Sequence, residues 1–285
     1  MFADSLTWFD QISLAELNES MTLLERKEQK FIVHFWQLDW IIWSMKDQFR
    51  LLTIWNTDMF SYENVYMDTS EYALYHAHNS WSKKRLKIRT RKYVDSDLHF
   101  FEYKQKANKR VTKFRYSTPA SEFWQMSKQA QEFCNGVDSE YTLMPYELLT
   151  PSLQNSYQRV TLCSVDACER VTIDYNIAFT DPRTWKSARI DNIAIIETKS
   201  ISQPSPCSSV LASKYWISPQ SACSKYCMWL YMTNAVEDAS RFKNTLNHIA
   251  WLQAEYATHQ LIASVHHSSS DTTSTSRQPS WQQAV

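Results

Sequence analysis

Thirteen of the thirty-three residues from Lys83 to Arg115 are lysine or arginine, and many alternate with other side chains. Side chains two apart on a β-strand point to the same face. Lys87, Arg89 and Arg91 therefore share one surface, as do Glu102, Lys104 and Lys106, while Lys109, Lys113 and Arg115 can line a third. Only Asp95, Asp97 and Glu102 oppose this charge, in a chain whose formal net charge is zero. A sheet face this basic repels itself unless it meets a polyanion, and the ligand it predicts is phosphate.

The same alternation recurs elsewhere. Arg26, Glu28 and Lys30 share a face on an early segment, Arg170, Thr172 and Asp174 on a later one, and Glu197 and Lys199 on a third. If these faces converge, they enclose a lumen of cations with a few carboxylates. Such a lumen is wet and anion-filled, because an unpaired buried charge costs several kcal/mol. Arginine forks suit bidentate phosphate contacts, and lysines act as point charges. Arg89, Arg91, Lys104 and Lys113 form the central set, with Lys30, Arg26, Lys87 and Arg170 as further phosphate contacts. Glu197 and Glu28 are the candidate ligands for Mn²⁺ or Mg²⁺, which take one or two carboxylates plus phosphate oxygens. Phosphoryl transfer needs mainly positioning and charge neutralisation, and this set supplies both. There is no P-loop motif. Glu102 reads equally as a metal ligand or as a partner of neighbouring lysines, and Asp174 as a ligand or as a salt-bridge partner of Arg170. Lys106, Lys109 and Arg115 read as rim or surface charges.

The elements that must position these residues follow from periodicity. Strands are expected over 25–34, 62–68, 84–93, 99–106, 110–116, 156–163, 170–179 and 193–200, and the middle three form an antiparallel meander. Helices are expected over 5–25, 37–52, 70–78, 121–133, 208–215 and 238–262, the last with a core-facing stripe of Phe242, Leu246, Ile249, Leu252 and Tyr256. Few strands alternate with helices in a βαβ rhythm. The fold class expected is α+β, an antiparallel β-barrel flanked by helices. The domain division is an N-terminal helical segment (1–24), one main domain (25–262) and a low-complexity, disordered tail (263–285).

Composition limits the alternatives. At 285 residues and 44% hydrophobic, the chain has enough apolar side chain for a real core. Its pI near 7.1 argues against a generally basic nucleic-acid protein, and no specific nucleic acid is expected. The six cysteines form no CxxC pair and read as reduced thiols of a cytoplasmic protein. No stretch reaches the roughly 20 apolar residues that span a bilayer, so membrane association would need a partner. A single glycine, Gly136, stands beside twelve tryptophans, although glycine ordinarily makes up about 7% of a chain. Several tryptophans sit where turn chemistry wants glycine: Trp55-Asn56, Ser80-Trp81-Ser82, Thr184-Trp185-Lys186 and Tyr215-Trp216-Ile217. UGA codons that encode glycine in some bacterial lineages, translated as tryptophan, would give this pattern.

The ordered motifs carry a resemblance. Arg26-x-Glu28-x-Lys30 looks like the opening strand of the triphosphate tunnel superfamily. YENVYMDT, KIRTRKY, FFEYKQK and VTKFRY then follow in the order seen in the VTC (vacuolar transporter chaperone) polyphosphate polymerase domain, and ERVTIDYNI, AIIETK and SACSKYC resemble its second half. The resemblance covers about Glu25 to Leu246. It implies a tunnel that binds triphosphate or polyphosphate with a divalent metal and, as in the eukaryotic relatives, makes polyphosphate from ATP. By position, Lys30, Arg89, Arg91, Lys104, Lys113 and Arg170 would contact phosphates, Ser224 and Lys225 would add a contact, and Glu197 would hold the metal. Trp216 and Trp229 fall where the family favours glycine. No SPX-like regulatory domain and no membrane helix accompany the motifs, so vacuolar coupling by this chain alone is not expected. The alternatives are a hydrolase of triphosphate or polyphosphate on the same fold, and a non-catalytic module that binds polyphosphate or RNA.

Overall fold

A computed structural model describes residues 2–20, 27–108, 110–138, 145–201 and 204–270. The elements in chain order are α1 (Phe2–Ser5), β1 (Gln11–Ile12), α2 (Leu14–Ser20), β2 (Lys27–His34), α3 (Leu38–Trp43), β3 (Phe49–Leu52), β4 (Phe60–Asp68), α4 (Ala73–Asn79), β5 (Lys84–Tyr93), β6 (Leu98–Ala107) and β7 (Arg110–Ser117). There follow α5 (Lys128–Val137), β8 (Thr150–Ser164), β9 (Glu169–Thr180), β10 (Ser187–Ile190), β11 (Ile193–Ser200), α6 (Pro206–Tyr215), α7 (Lys225–Met232) and α8 (Lys243–Ser270). All strands join one mixed sheet, antiparallel but for the β1–β3 pair, whose main path runs β2-β11-β9-β8-β4-β5-β6-β7. The α+β class is therefore as expected.

Closure differs from expectation. β2 and β7 end the pairing path and do not pair with each other, so the sheet is curled but not a hydrogen-bonded barrel. Both edges are rich in cations: Lys27 and Lys30 on one, Arg110, Lys113 and Arg115 on the other. Charged edges resist further strand pairing, and like charges brought opposite one another are destabilising.

Strand alternation sorts the two sheet faces. Leu86 and Ile88 of β5 and Phe101 and Tyr103 of β6 point outward and pack with Ala130 and Cys134 of α5. Phe31, Val33, Ile173 and Ile196 pack outward against Phe2, Ile41, Ile42 and Leu211, from α1, α3 and α6. The inner face is divided. Where β2 and β11 turn apolar, Ile32, Ile193 and Ile195 meet Tyr226, Trp229 and Leu230 of α7 and Ile249 and Leu252 of α8. The rest of the inner face carries the alternating charges, so the core lies around the lumen instead of filling it.

Asp68 ties the end of β4 to two helices. Buried completely, its carboxylate accepts from the backbone N–H groups of Thr69, Leu74 and Tyr75 and from the Tyr226 hydroxyl. It thus satisfies the start of α4 and seats α7 against the sheet.

Several expected boundaries shift. The helix expected over 37–52 ends at Trp43, and Phe49–Leu52 is a strand paired with both β1 and β8. The apolar spacing suited a helix, but this short segment finds strand partners on both sides. The helix expected over 5–25 is two short helices with β1 between them, and residues 21–26 lie outside the described residues. α8 continues to Ser270, past the expected start of the tail, while 271–285 lie outside the described residues. α7 and β10 were not anticipated.

Candidate active site: a basic cavity with three clamped carboxylates

The inner charged face encloses a cavity of about 720 Å³. Eleven lysine and arginine side chains line it, against the carboxylates of Glu28, Asp95, Glu102 and Glu197. Of the residues predicted from sequence, it gathers Lys30, Lys87, Arg89, Arg91, Lys104, Lys113, Arg170, Ser224, Lys225, Glu28 and Glu197. Arg26 and Lys109 lie outside the described residues. Arg115, expected at the rim, is an exposed member of the lining, with its guanidinium 4.9 Å from the Phe100 ring. Lys106 is half-buried outside the lining.

Register brings these side chains together. Lys87 stands opposite Lys104, and Lys104 opposite Lys113. Arg89 stands opposite Glu102, Glu197 opposite Lys30, and Glu28 opposite Lys199. Three lysines directly cross-strand would repel one another. Three carboxylates, two of them buried and each held between two cations, temper that repulsion.

Glu102 is the first. Arg89 Nε donates to its Oε2 at 2.7 Å and Lys113 Nζ to its Oε1 at 2.7 Å. Burial opposes the charge, but Arg89, Arg91 and Lys113 overcome it and hold the carboxyl well below its ordinary range. Both oxygens are occupied by cations, so in this structure Glu102 is an ion-pair partner of Arg89 and Lys113.

Asp174 is the second, fully buried behind the cavity wall. Arg159 grips it with both arms of its guanidinium, Nε to Oδ1 at 2.5 Å and NH2 to Oδ2 at 2.7 Å, and Lys225 Nζ donates to Oδ2. The expected partner Arg170 is not the one found. Arg159 stands directly across from Asp174 in the β8–β9 register, whereas Arg170 stands opposite Lys199 and Cys163.

Glu197 is the third, with Lys199 Nζ 2.8 Å from Oε1 and Lys30 Nζ 3.4 Å from Oε2. Lys30 also pairs with Glu28. Despite burial and their mutual repulsion, the lysines lower both carboxyls, Glu197 strongly. Among the described residues, no group of three or more His, Cys, Asp or Glu side chains could hold a metal ion. Glu28 and Glu197 share one inner face, and a cation drawing its other ligands from phosphate oxygens and water would have to displace the lysines that now engage them.

The remaining cations are aimed by neutral groups. Arg91 Nε donates to Asn64 Oδ1 at 2.8 Å and NH2 to the Tyr157 hydroxyl at 3.2 Å. Arg89 NH1 donates to the Tyr66 hydroxyl at 3.0 Å. Lys87 Nζ donates to Ser224 Oγ at 2.8 Å, while that oxygen accepts from Cys227 N as the N-cap of α7. Ser224 therefore starts the helix that delivers Lys225 to Asp174. Burial and the nearby lysines lower Lys87 and Lys104 from the ordinary lysine range.

Arg159 and Tyr157 were missed by the sequence reading, although Tyr157-x-Arg159-x-Thr161 shows the same alternation that exposed the other strands. The missing signal was a second basic residue on β8. The six cysteines are all free thiols, and Cys223 alone lines the cavity.

The VTC domain family matches residues 25–233, and the chain belongs to that family. No curated protein sequence matches it. Among solved structures, a candidate adenylate cyclase of Bacillus halodurans is similar at 14% identity and a TM-score of 0.46, over 70% of this chain and 94% of that one. A candidate adenylyl cyclase of Hippeastrum, reported with a dominant triphosphatase activity, is similar at 10% identity and a TM-score of 0.43, over 76% of this chain and 99% of that one. No helix among the described residues is long and apolar enough to cross a membrane.

Lys113 gives the cavity a pH dependence. Burial, beside Arg89 and Arg91 and only partly offset by Glu102, pushes it down to about 8. It is cationic below that value and neutral above. Affinity for inorganic triphosphate should therefore fall as pH rises through about 8, and Lys113→Arg should flatten the profile, as titration calorimetry across pH would show. A wild-type profile already flat there would exclude Lys113 from the phosphate site.

Proposed function

We propose that this protein is a metal-dependent polyphosphate polymerase that transfers the γ-phosphoryl group of ATP to a growing polyphosphate chain inside the basic cavity. The observation that carries this reading is the surplus of fixed cations. Counting Asp174, eleven cationic side chains face five carboxylates, an excess that a triphosphate or polyphosphate would neutralise. Membership of the VTC family supports the same substrate class.

The residues fit the chemistry. A terminal oxygen of the chain bonds to the γ-phosphorus as the bond to the β,γ-bridging oxygen breaks, and ADP leaves. Phosphoryl transfer of this kind asks the protein for alignment and charge neutralisation, not for a protein nucleophile. Arg89, Arg91, Lys104 and Lys113 face the position of the transferred group, while Lys30, Arg159, Arg170 and Lys225 hold phosphates on the opposite wall. Because the clamps fix the cations beforehand, little reorganisation is needed when charge develops. Glu197 and Glu28 would hold Mn²⁺ or Mg²⁺, which would add neutralisation at the phosphate oxygens. In this reading the protein works in a bacterial cytoplasm and meets a membrane only through a partner.

The test is incubation of the protein with ATP and Mn²⁺, followed by separation of products. Long-chain polyphosphate is expected. Arg89→Ala/Arg91→Ala should lower its formation by roughly a hundredfold or more, the scale of removing preorganised transition-state donors. Free phosphate without polymer would instead make it a hydrolase of the same fold, and neither product would make it a polyanion-binding module. Full activity in the double variant would overturn the site assignment.

A further inference from the structure

One end of the cavity is chemically out of place. Tyr62 of β4, Tyr93 of β5 and Leu98 of β6 stand side by side in register, with Phe100 next along β6. Ring centroids of Tyr62 and Tyr93 lie 5.1 Å apart, and those of Tyr93 and Phe100 5.6 Å apart. Tyr62, Tyr93 and Phe100 are half-buried and Leu98 is exposed, so the collar faces the cavity with accessible apolar surface. A chain of inorganic phosphate has no apolar part for such a collar to recognise.

Cations begin immediately behind the rings. The Arg91 guanidinium lies 5.3 Å from the Tyr62 ring and 6.0 Å from the Tyr93 ring. A ligand with a flat apolar group joined to consecutive phosphates would place the first on the collar and the second on Arg91 and Arg89. We infer that Tyr62, Tyr93, Leu98 and Phe100 form a nucleoside-binding collar, so that a nucleoside triphosphate enters base-outward from this end, with its γ-phosphate deepest among the clamped cations. This rests on the polymerase reading and names the part of the site that would hold the donor. The competing use of the rings is to orient the arginines by cation–π contact.

The two uses separate by ligand. Titration calorimetry would follow ATP and inorganic triphosphate binding to wild type, Tyr93→Ala and Phe100→Ala, with Tyr93→Phe as a ring-retaining control. The collar predicts that each alanine variant weakens ATP by about tenfold or more, the scale of one lost base-stacking contact, while triphosphate binding and the Tyr93→Phe protein stay near wild type. Equal weakening of both ligands would mean that the rings only orient arginines, and no weakening of ATP would also overturn the collar. In either case triphosphate binding to the wild type would leave the polymerase reading standing. A wild-type protein that binds neither ligand would end both.

A second inference rests on backbone geometry. Ten of the eleven described tryptophans have exposed side chains, an unusual place for the largest apolar residue. Trp55, Trp81, Trp185 and Trp216 also have φ of 50°, 61°, 59° and 57°, while no glycine has a positive φ. Their local roles are those glycine fills. Trp216 follows α6 in the left-handed conformation and donates its N–H to Leu211 O. Trp81 follows the end of α4, where Ser82 N closes back on Ala77 O. Trp55 and Asn56 are the two central residues, both at positive φ, of a tight turn closed by Ile54 and Thr57. The left-handed C′ position of a helix and the two-residue turn with two positive φ values are the preferred seats of glycine.

We infer that positions 55, 81, 185 and 216 are glycine in the cell that makes this protein, through UGA codons read there as glycine. Trp229 is not included, because its indole is buried and stacks on Phe179 at 5.1 Å. Two measurements decide this. TGA is expected in the gene at all four codons, and TGG at any of them overturns the inference for that position. Replacing the four tryptophans by glycine should also raise the Tm of the recombinant protein. A lower Tm would contradict the claim that these backbones are built for glycine.

Discussion

Repulsion among cations that share one concave surface is the constraint on which this structure depends. Lys87, Lys104 and Lys113 stand side by side on three adjacent strands, with Arg89 and Arg91 beside them. Glu102, Asp174 and Glu197 make the arrangement tenable, each bridging two cations that come from different elements. The Glu102 and Asp174 clamps each retain one uncompensated positive charge, whereas Glu28 offsets the surplus beside Glu197. The folded chain therefore holds a charge pattern that is tolerable empty and better satisfied full. Removing Asp174 would strand Arg159 and Lys225, the most deeply buried of these cations, a loss of about 3–5 kcal/mol by comparison with other broken buried pairs.

The surrounding fold serves this surface. Apolar residues on the outer face pack against α1, α3, α5 and α6, so stability does not rely on filling the lumen. α7 closes the apolar part of the inner face and, through its capped N-terminus, delivers Lys225 to Asp174 and receives Lys87 on Ser224. Asp68 anchors the same helix by accepting the Tyr226 hydroxyl. A single packed helix thus links core formation to the placement of two cavity-lining lysines.

Much of the site was legible because strand alternation is strict. Lys87, Arg89, Arg91, Lys104, Glu197 and Lys30 could be assigned to one face by counting in twos, and the structure gathers them. What the count could not supply was which strands are neighbours. Hence Asp174 was paired with Arg170 on its own strand, whereas register gives it Arg159 of β8. Glu102 could not be resolved between metal ligand and ion pair until the flanking positions of Arg89 and Lys113 were known. Sheet closure was likewise illegible, because a curled sheet and a closed barrel share the same alternation. Phe49–Leu52 misled for a related reason: its apolar spacing suits a helix, and only its partners on β1 and β8 make it a strand.

The central claim is that the clamped cations await a polyanion, and thermal unfolding tests it directly. Wild-type protein is melted with inorganic triphosphate and, at matched ionic strength, with sodium chloride. A ligand that binds only the folded state stabilises it in proportion to the logarithm of its concentration. The account predicts that triphosphate raises the Tm well beyond the salt control and that Arg89→Ala/Arg91→Ala removes most of the increase. Equal melting curves in triphosphate and chloride would contradict it.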